Sequence, residues 1–335
     1  MRKKQEDRYR IFSWLSDVGG IMETITDMRG IGHPSQPKLN KSVNKNHDSG
    51  SWGSGWFVRT IKEKITCHPG GWMEYPYYGE PIFIGDPLVG FVKGDDPLFL
   101  KLKEVIGPHH FTPAEIMAWQ SKNNGVTPPH ASDICVVSFA LSLAEQTIAD
   151  NENNLAWTAE RWAHTRVIGE RFILTIEREL VNYFMERGIL AVAPDTTPMA
   201  VRKRYPRTGW GSPWSQRHIG YAAGLGTFGY HDFLITEKGC THCMGSLVVN
   251  LKREPERRRP DDIHAHCLHY RGFNCLECAA RCPVQAITAG GGHDKDLCSQ
   301  RVVKSMIHCN NRYHIFGYGC GLCSTGVPCS RRFPG

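Results

Sequence analysis

The chain has 335 residues, 41% of them hydrophobic, and 40 Lys and Arg against 33 Asp and Glu, a net charge of +7. That length allows two domains and that apolar content a sizeable core, which excludes a disordered tail or a fibre. The charge is too mild to mark a nucleic-acid partner, a solvated basic surface accounts for it, and the absence of any eighteen-residue apolar run predicts no membrane span.

The start, Met1-Arg2-Lys3-Lys4-Gln5-Glu6-Asp7, has no apolar stretch behind it and no twin arginine. It predicts no export signal and a cytoplasmic protein. Residues 1 to about 50 read as a peripheral segment, with Lys38 to Gly55 rich in Asn, Ser, Lys and Gly. From Trp56 the aromatics become dense: Trp72, Tyr75, Tyr77, Tyr78 and Phe83 alternate with Gly and Pro. The stretch reads as an irregular arm packed on the main domain, not a long helix.

Asp96 is the expected cap, and Pro97 the first residue, of a short helix reaching Ile106. Thr112-Pro113-Ala114-Glu115 has capping-box spacing. Ser132 to Leu141 is a largely apolar run that suits a strand buried on both faces, with Cys135 a small core residue. A long helix is expected from about Trp157 to Arg187. Ile168, Phe172, Ile176, Leu180 and Phe184 repeat every four residues, Ile173 and Val181 widen the stripe, and Arg187-Gly188 stops it. A short strand should follow over Ile189 to Ala193. The pattern is that of a layered α/β or α+β domain.

Gly224, Gly226 and Gly229 fit G-x-G-x-x-G. A dinucleotide turn needs a strand before it and a helix after it. Here helix-favouring residues precede the glycines and the expected strand Phe233 to Thr236 follows. The glycines are instead expected to let backbone approach a flat or bulky ligand. Beyond them lie Cys240-Thr241-His242-Cys243, either a metal or redox pair or two stray thiols, and a second strand over Gly245 to Asn250.

Nine of the 13 cysteines lie from Cys267 to Cys329. Cys275-Leu276-Glu277-Cys278-Ala279-Ala280-Arg281-Cys282-Pro283 has the spacing of the bacterial-ferredoxin run, in which the last cysteine serves the other cluster. A [4Fe–4S] cluster takes four thiolates. Cys267, Cys275 and Cys278 supply three, closed by Cys329; Cys298, Cys320 and Cys323 supply three more, closed by Cys282. Both closures assume the swapped two-cluster pattern, and Cys309 is the reserve. A zinc ribbon is the alternative for the Cys-x-x-Cys pairs. The Cys-Pro continuation argues against it, and disulfides do not suit a chain without a leader.

The Ala-Gly-Leu-Gly-x-x-Gly segment, the Leu-Ile-Thr strand, the strand Gly245 to Asn250 and the two ferredoxin-type motifs together resemble epoxyqueuosine reductase and the reductive dehalogenases, over about residues 130 to 329. The resemblance implies an α+β fold: a nitroreductase-like α/β/α sandwich at 85–255, then a ferredoxin-like domain with two [4Fe–4S] clusters at 256–335, behind the N-terminal segment 1–84. It implies base-off cobalamin beside Gly224, Leu225, Gly226 and Gly229, with Arg217 and His218 as contacts. Asp262-Ile263-His264 begins the usual corrinoid lower-ligand signature, but Cys267 stands where its glycine should be. Two loops depart from the family: seven residues separate Cys267 from Cys275 and five separate Cys323 from Cys329.

Reduction needs a proton donor. Tyr205, and His164 with Arg166 at the start of the long helix, are the candidates. The expected activity is a corrinoid-dependent iron–sulfur reductase fed by a low-potential donor such as a ferredoxin or flavodoxin and acting on an organic substrate. Without helical repeats beyond Gly335 or a leader, a tRNA substrate and a respiratory dehalogenase are the weaker expectations. An electron-transfer protein without corrinoid is the alternative, and flavin in the sandwich domain a third reading.

Overall fold

The computed structural model describes residues 37–42, 52–74, 76–200, 203–205, 209–315 and 319–335. Most of the N-terminal segment and Tyr75 lie outside the described residues.

The first element corrects the sequence reading. Ser54–Cys67 is a helix, α1, because Phe57, Ile61 and Ile65 recur at four-residue spacing and are buried together. The irregular arm begins only after it, with a single helical turn at Pro69–Gly71 and a bridge from Trp72 to Pro81. Strand β1 (Phe83–Lys93) follows, bulged between Ile84 and Leu88. Helix α2 (Leu98–Val105) starts one residue later than expected, with Pro97 at the cap position, and the Asp96 side chain accepts the Leu98 N–H at 2.9 Å. Helix α3 (Pro113–Asn124) opens with the full capping box: Glu115 N–H donates to Thr112 Oγ1 and Thr112 N–H to Glu115 Oε2.

Strand β2 (Cys135–Leu143) is buried at every position but one. Helix α4 (Glu145–Glu152) leads to α5 (Glu160–Glu186), which buries the whole expected stripe from Ile168 to Phe184. It ends in a Schellman turn at Gly188, φ +71°, where Ile189 N–H reaches Phe184 O at 3.0 Å. Then come β3 (Ala191–Val192), a ribbon of β4 (Lys203–Tyr205) and β5 (Gly209–Gly211), helix α6 (Gln216–Ala222), a second ribbon of β6 (Gly226–Phe228) and β7 (Leu234–Thr236), and β8 (His242–Val249).

Four strands form one antiparallel sheet in the order β1-β2-β8-β3. Its two faces differ in side-chain size for a packing reason. Val89, Phe139 and Gly245 stand in one cross-strand row, and Gly245 faces Ile173 and Glu177 of α5. The next row, Gly90, Ser138 and Ser246, is small throughout. That lets the end of α6 approach closely, since a Cβ on Gly90 would meet Ala223 O at 2.3 Å, and Trp214 Nε1–H donates to Ser246 Oγ at 2.9 Å. The sheet is thus covered by helices on both faces, as the apolar run in β2 implies.

Beyond β8 regular structure thins. Helix α7 (Glu277–Ala280), the two-residue strands β9 (Ile287–Thr288) and β10 (Gly292–His293), and helix α8 (Lys295–Tyr313), capped by Asp294, are its elements. This region is pinned to the sheet domain by Arg281, which donates from Nε to Leu322 O and from Nη2 to the carbonyls of Asn151, Glu152 and Asn154. No described helix is long and apolar enough to cross a membrane.

Candidate metal centre

Cys275 and Cys278 sit on the turn into α7, where two intervening residues bring both thiols to one side. Cys267 lies on a preceding turn closed by its own N–H to His264 O at 2.8 Å, and Thr227 Oγ1 holds that turn through His266. Cys329 arrives from the C-terminal loop, whose backbone pairs with the residues leading into β8: Cys240 N–H donates to Cys329 O, and Thr241 Oγ1 to Ser330 O at 2.7 Å. Gly239, φ +80°, permits that pairing, because a Cβ there would lie 2.2 Å from Ser330 O. Cys267, Cys275, Cys278 and Cys329 line one recess of about 330 Å³, its open mouth included, with Tyr230, Ile235, Leu268 and Val327 as apolar walls.

The thiols feel one another. Burial pushes Cys278 up to about 12, and Cys329, Cys267 and Cys275 add to the rise. Burial also raises Cys275, opposed by the Glu277 backbone N–H. A second set adjoins the first. Burial holds Cys323 well above the usual thiol range, with Cys320, Cys298, Cys278 and Cys282 acting in the same direction. Cys298 is raised by burial and then by Cys320, with Cys282 a lesser contributor. Cys282 Sγ already accepts the Ala286 N–H at 3.2 Å. Cys309 is buried on α8 and is raised to about 11 by burial and by Cys320 alone among the thiols, so it flanks the second set.

Cys267, Cys275, Cys278 and Cys329 thus share one recess, and Cys282, Cys298, Cys320 and Cys323 lie beside it, with Cys278 and Cys240 also close to Cys323. Around one zinc ion, thiolate sulfurs would stand about 3.8 Å apart, from Zn–S bonds near 2.3 Å in a tetrahedron. Among the described residues, the group with ligand atoms all within 4.8 Å of one another is His231, Cys240 and Cys329. Neither quartet is drawn in that tightly. A [4Fe–4S] cluster takes four thiolates, the number that lines the recess. The longer final loop is accommodated by its own hydroxyls: Ser330 Oγ accepts from Val327 N–H and donates to Ser324 O, and Thr325 Oγ1 donates to Gly321 O.

The pair Cys240 and Cys243 divides between two sides of the chain. Cys240 points at Cys329 and lies 3.5 Å from Ser324 O; Cys243 lies 3.3 Å from Arg166 Nη1. His231, which carries no sequence signal of its own, has Nε2 3.3 Å from Cys329 Sγ. Together Cys240 and His231 draw Cys329 down to about 5 against the opposing effect of burial.

The glycines at Gly224, Gly226 and Gly229 serve the chain itself. Gly224, φ +74°, ends α6 in a Schellman turn, with Leu225 N–H on Gly220 O at 2.9 Å and Gly224 N–H on Tyr221 O at 3.0 Å. A Cβ on Gly226 would meet Ile235 O at 2.2 Å, and one on Gly229 the His231 ring at 2.5 Å. Each of the three glycines expected to make room for a flat ligand therefore also has a reason within the chain. A helix precedes the bend and a strand follows, so the non-Rossmann reading holds. Arg217 donates to Asp232 O and covers the Phe233 ring. His218 is half-buried, pairs with Ser215 Oγ at 2.8 Å, and is held down to about 4 by burial and by Arg217.

The three proton-donor candidates have no common partner among the described contacts. His164 is buried edge-on to Tyr77, and burial lowers it. Arg166, two residues on and so turned to another face of α5, pairs with Glu170 Oε1 at 2.8 Å. Tyr205 stacks on His109, and burial raises its hydroxyl.

No protein-family model matches the chain, and no curated protein matches it. Solved structures similar to it are epoxyqueuosine reductases and reductive dehalogenases, the two kinds its motifs resemble. The epoxyqueuosine reductase of Bacillus subtilis shares 15% identity over 83% of this chain and 67% of its own, with a TM-score of 0.42. A catabolic reductive dehalogenase in complex with 3-bromo-4-hydroxybenzoic acid shares 14% over 94% of this chain and 37% of its own, with a TM-score of 0.47. An epoxyqueuosine reductase with a tRNA stem loop shares 17% over 82% and 67%, with a TM-score of 0.37. The chain therefore spans little more than a third of that dehalogenase, and no residue here takes its role from these likenesses.

Proposed function

We propose that this chain is an iron–sulfur oxidoreductase. Two [4Fe–4S] clusters would be held by Cys267, Cys275, Cys278 and Cys329 and by Cys282, Cys298, Cys320 and Cys323, in a ferredoxin-like unit over 256–335. The observation that carries the reading is the recess lined by Cys267, Cys275, Cys278 and Cys329, with Cys282, Cys298, Cys320 and Cys323 beside it. Such clusters supply one-electron transfer at potentials down to roughly −700 mV. The chain's own part is to hold and shield them. Tyr230, Ile235, Leu268 and Val327 keep water from the first quartet, and the Ala286 N–H steadies Cys282. Cys278 and Cys323 interact across the two sets, which supports a short path between them.

In the leading form of the proposal the electrons reach base-off cobalamin in a nitroreductase-like domain over 85–255, and then an organic substrate. At Gly224, Gly226 and Gly229 an added Cβ would meet Arg257, Ile235 and His231 of the chain itself, so the room those missing side chains leave is filled from within. The second reading is an electron-transfer protein without corrinoid. In either form a ferredoxin or flavodoxin of low potential is the proposed donor, in the cytoplasm. A nucleic-acid partner is not part of the proposal. Arg257, Arg258 and Arg259 pair with Glu237, Asp261 and Asp96. Tyr205, stacked on His109, stays a proton-donor candidate beside His164 and Arg166.

The test is anaerobic reconstitution with iron and sulfide, then addition of hydroxocobalamin. About eight irons per chain are expected. Stoichiometric uptake with a base-off spectrum supports the reductase; eight irons with no uptake supports the carrier. Zinc retained in place of iron overturns both.

A further inference from the structure

His231, Cys240 and Cys329 are close enough to share one ion, yet the hydrogen bonds of His231 argue for a different role. Its Nδ1 accepts the Phe233 backbone N–H at 3.1 Å. A neutral imidazole accepting there carries its hydrogen on Nε2. That nitrogen, 3.3 Å from Cys329 Sγ, is a donor to sulfur and not a lone pair free for a metal. The ring is fully enclosed, with 1% of its surface exposed, and stands edge-on to Phe233 with centroids 5.3 Å apart.

The bend around it is built for this orientation. Gly229 N–H donates to Phe233 O and Asp232 N–H to Gly229 O, closing a tight turn with Asp232 at φ +60°. Gly229 has no side chain to give, and a Cβ there would collide with the His231 ring. Lys295 and His293 hold Asp232 from outside.

We propose that His231 is a positioning residue for Cys329, donating its Nε2–H to the thiolate and raising the reduction potential of the cluster in the first quartet relative to that in the second. The inference rests on the two-cluster reading. Its physics is general: reduction by one electron adds negative charge shared with the ligand sulfurs, and a hydrogen-bond donor stabilises that form more than the oxidised one. The electron comes from the low-potential donor or, in the test, from dithionite.

Wild type, His231→Gln and His231→Leu are reconstituted anaerobically, their iron counted, and each titrated potentiometrically with reduction followed by EPR. Removing the donor in His231→Leu should cut the reduction equilibrium of one cluster about tenfold, 59 mV for a one-electron couple, and leave the other unchanged. His231→Gln, whose amide still donates, should recover most of the shift. Full iron with unmoved potentials in His231→Leu overturns the proposal while the cluster reading stands; wild type without iron overturns the reading beneath it. A shift of both clusters together also overturns it. Should His231→Leu fail to load, wild type labelled with 15N-histidine decides. Pulsed EPR of the reduced protein should show coupling to one histidine nitrogen that changes in His231→Gln, and no such coupling sinks the idea.

Discussion

Strand β2 buries eight of its nine side chains, whereas α7, four residues long, has Cys278 as its one buried side chain. The contrast extends to the regions around them. The sheet domain is closed by Phe57, Phe91, Phe139, Ile176 and Phe184, all at 0% exposure, and every strand of its sheet has a paired neighbour. Residues 256–335 have two-residue strands, a small satellite core and cysteines at its centre. One region is held by apolar burial; the other has less of it, and on the proposed reading cluster ligation closes its loops. The two should therefore fail under different insults.

The largest effect expected is from the ligands. Cys278→Ala should remove one cluster, about four of eight irons. Amide hydrogen exchange over 256–335 should then rise to the level of open loops while β1, β2 and β8 stay protected. Equal loss of protection in both regions would break the comparison. The converse insult is Phe57→Ala, which empties a ring packed on Phe91 and Phe184. It should cost about 3–5 kcal/mol in chemical denaturation and leave the iron count unchanged.

That second site was not legible beforehand. From Trp56 the density of aromatics, Gly and Pro predicts an irregular arm, and that composition masks the four-residue spacing of Phe57, Ile61 and Ile65. By contrast the Asp96 bond to the start of α2, the cap at Thr112 and the stripe of α5 follow from local rules that neighbours do not override, and the structure keeps them. The recess shared by Cys275 and Cys278 with Cys267 and Cys329 was legible because Cys-x-x-Cys spacing keeps two thiols within one turn of chain whatever the fold around them. His231 was not, since a lone histidine in a bend has no period and its partner lies 98 residues away. Nor was the separation of Cys240 from Cys243: residues three apart on extended chain point to opposite sides, which a Cys-x-x-Cys pattern conceals. The glycine bend shows the limit of reading freedom as function. Sequence tells that a Cβ is absent, not what fills its place.

A smaller effect should come from pH and confine itself to the sheet domain. His110 is wholly buried beside Trp214, accepts the Ser215 N–H on Nε2, and is lowered to about 3 by burial, then by His218, His109 and Lys103. An unfolded histidine takes its proton near 6.5. The folded value is depressed, so the stabilisation is complete above about pH 6.5 and is lost as pH falls towards 3. Comparing His110→Gln with wild type, both loaded with clusters, isolates this group. Between about pH 6.5 and 5 the wild type should lose on the order of 2 kcal/mol more than the variant. Parallel pH profiles would show that His110 is not a neutral member of the core.

The smallest expected effect sharpens the comparison from inside the sheet domain. Thr112 lies at the start of α3, remote in sequence from every quartet cysteine, and its hydroxyl accepts the Glu115 N–H while Glu115 returns a bond to the Thr112 N–H. Burial opposes the charge on Glu115, but the Thr112 N–H and Lys103 outweigh it and hold the carboxyl below its ordinary range. Thr112→Ala leaves the Glu115 N–H to water and should cost about 1 kcal/mol. Glu115→Gln keeps the reciprocal geometry without the charge and should cost less. Because the helix packs through Ile116 and Met117 on the sheet domain's own core, the loss should appear in denaturation of that domain and not in cluster retention. If iron is lost from Thr112→Ala as readily as from Cys278→Ala, the two regions unfold as one unit, and the separation between apolar and ligand-held structure fails.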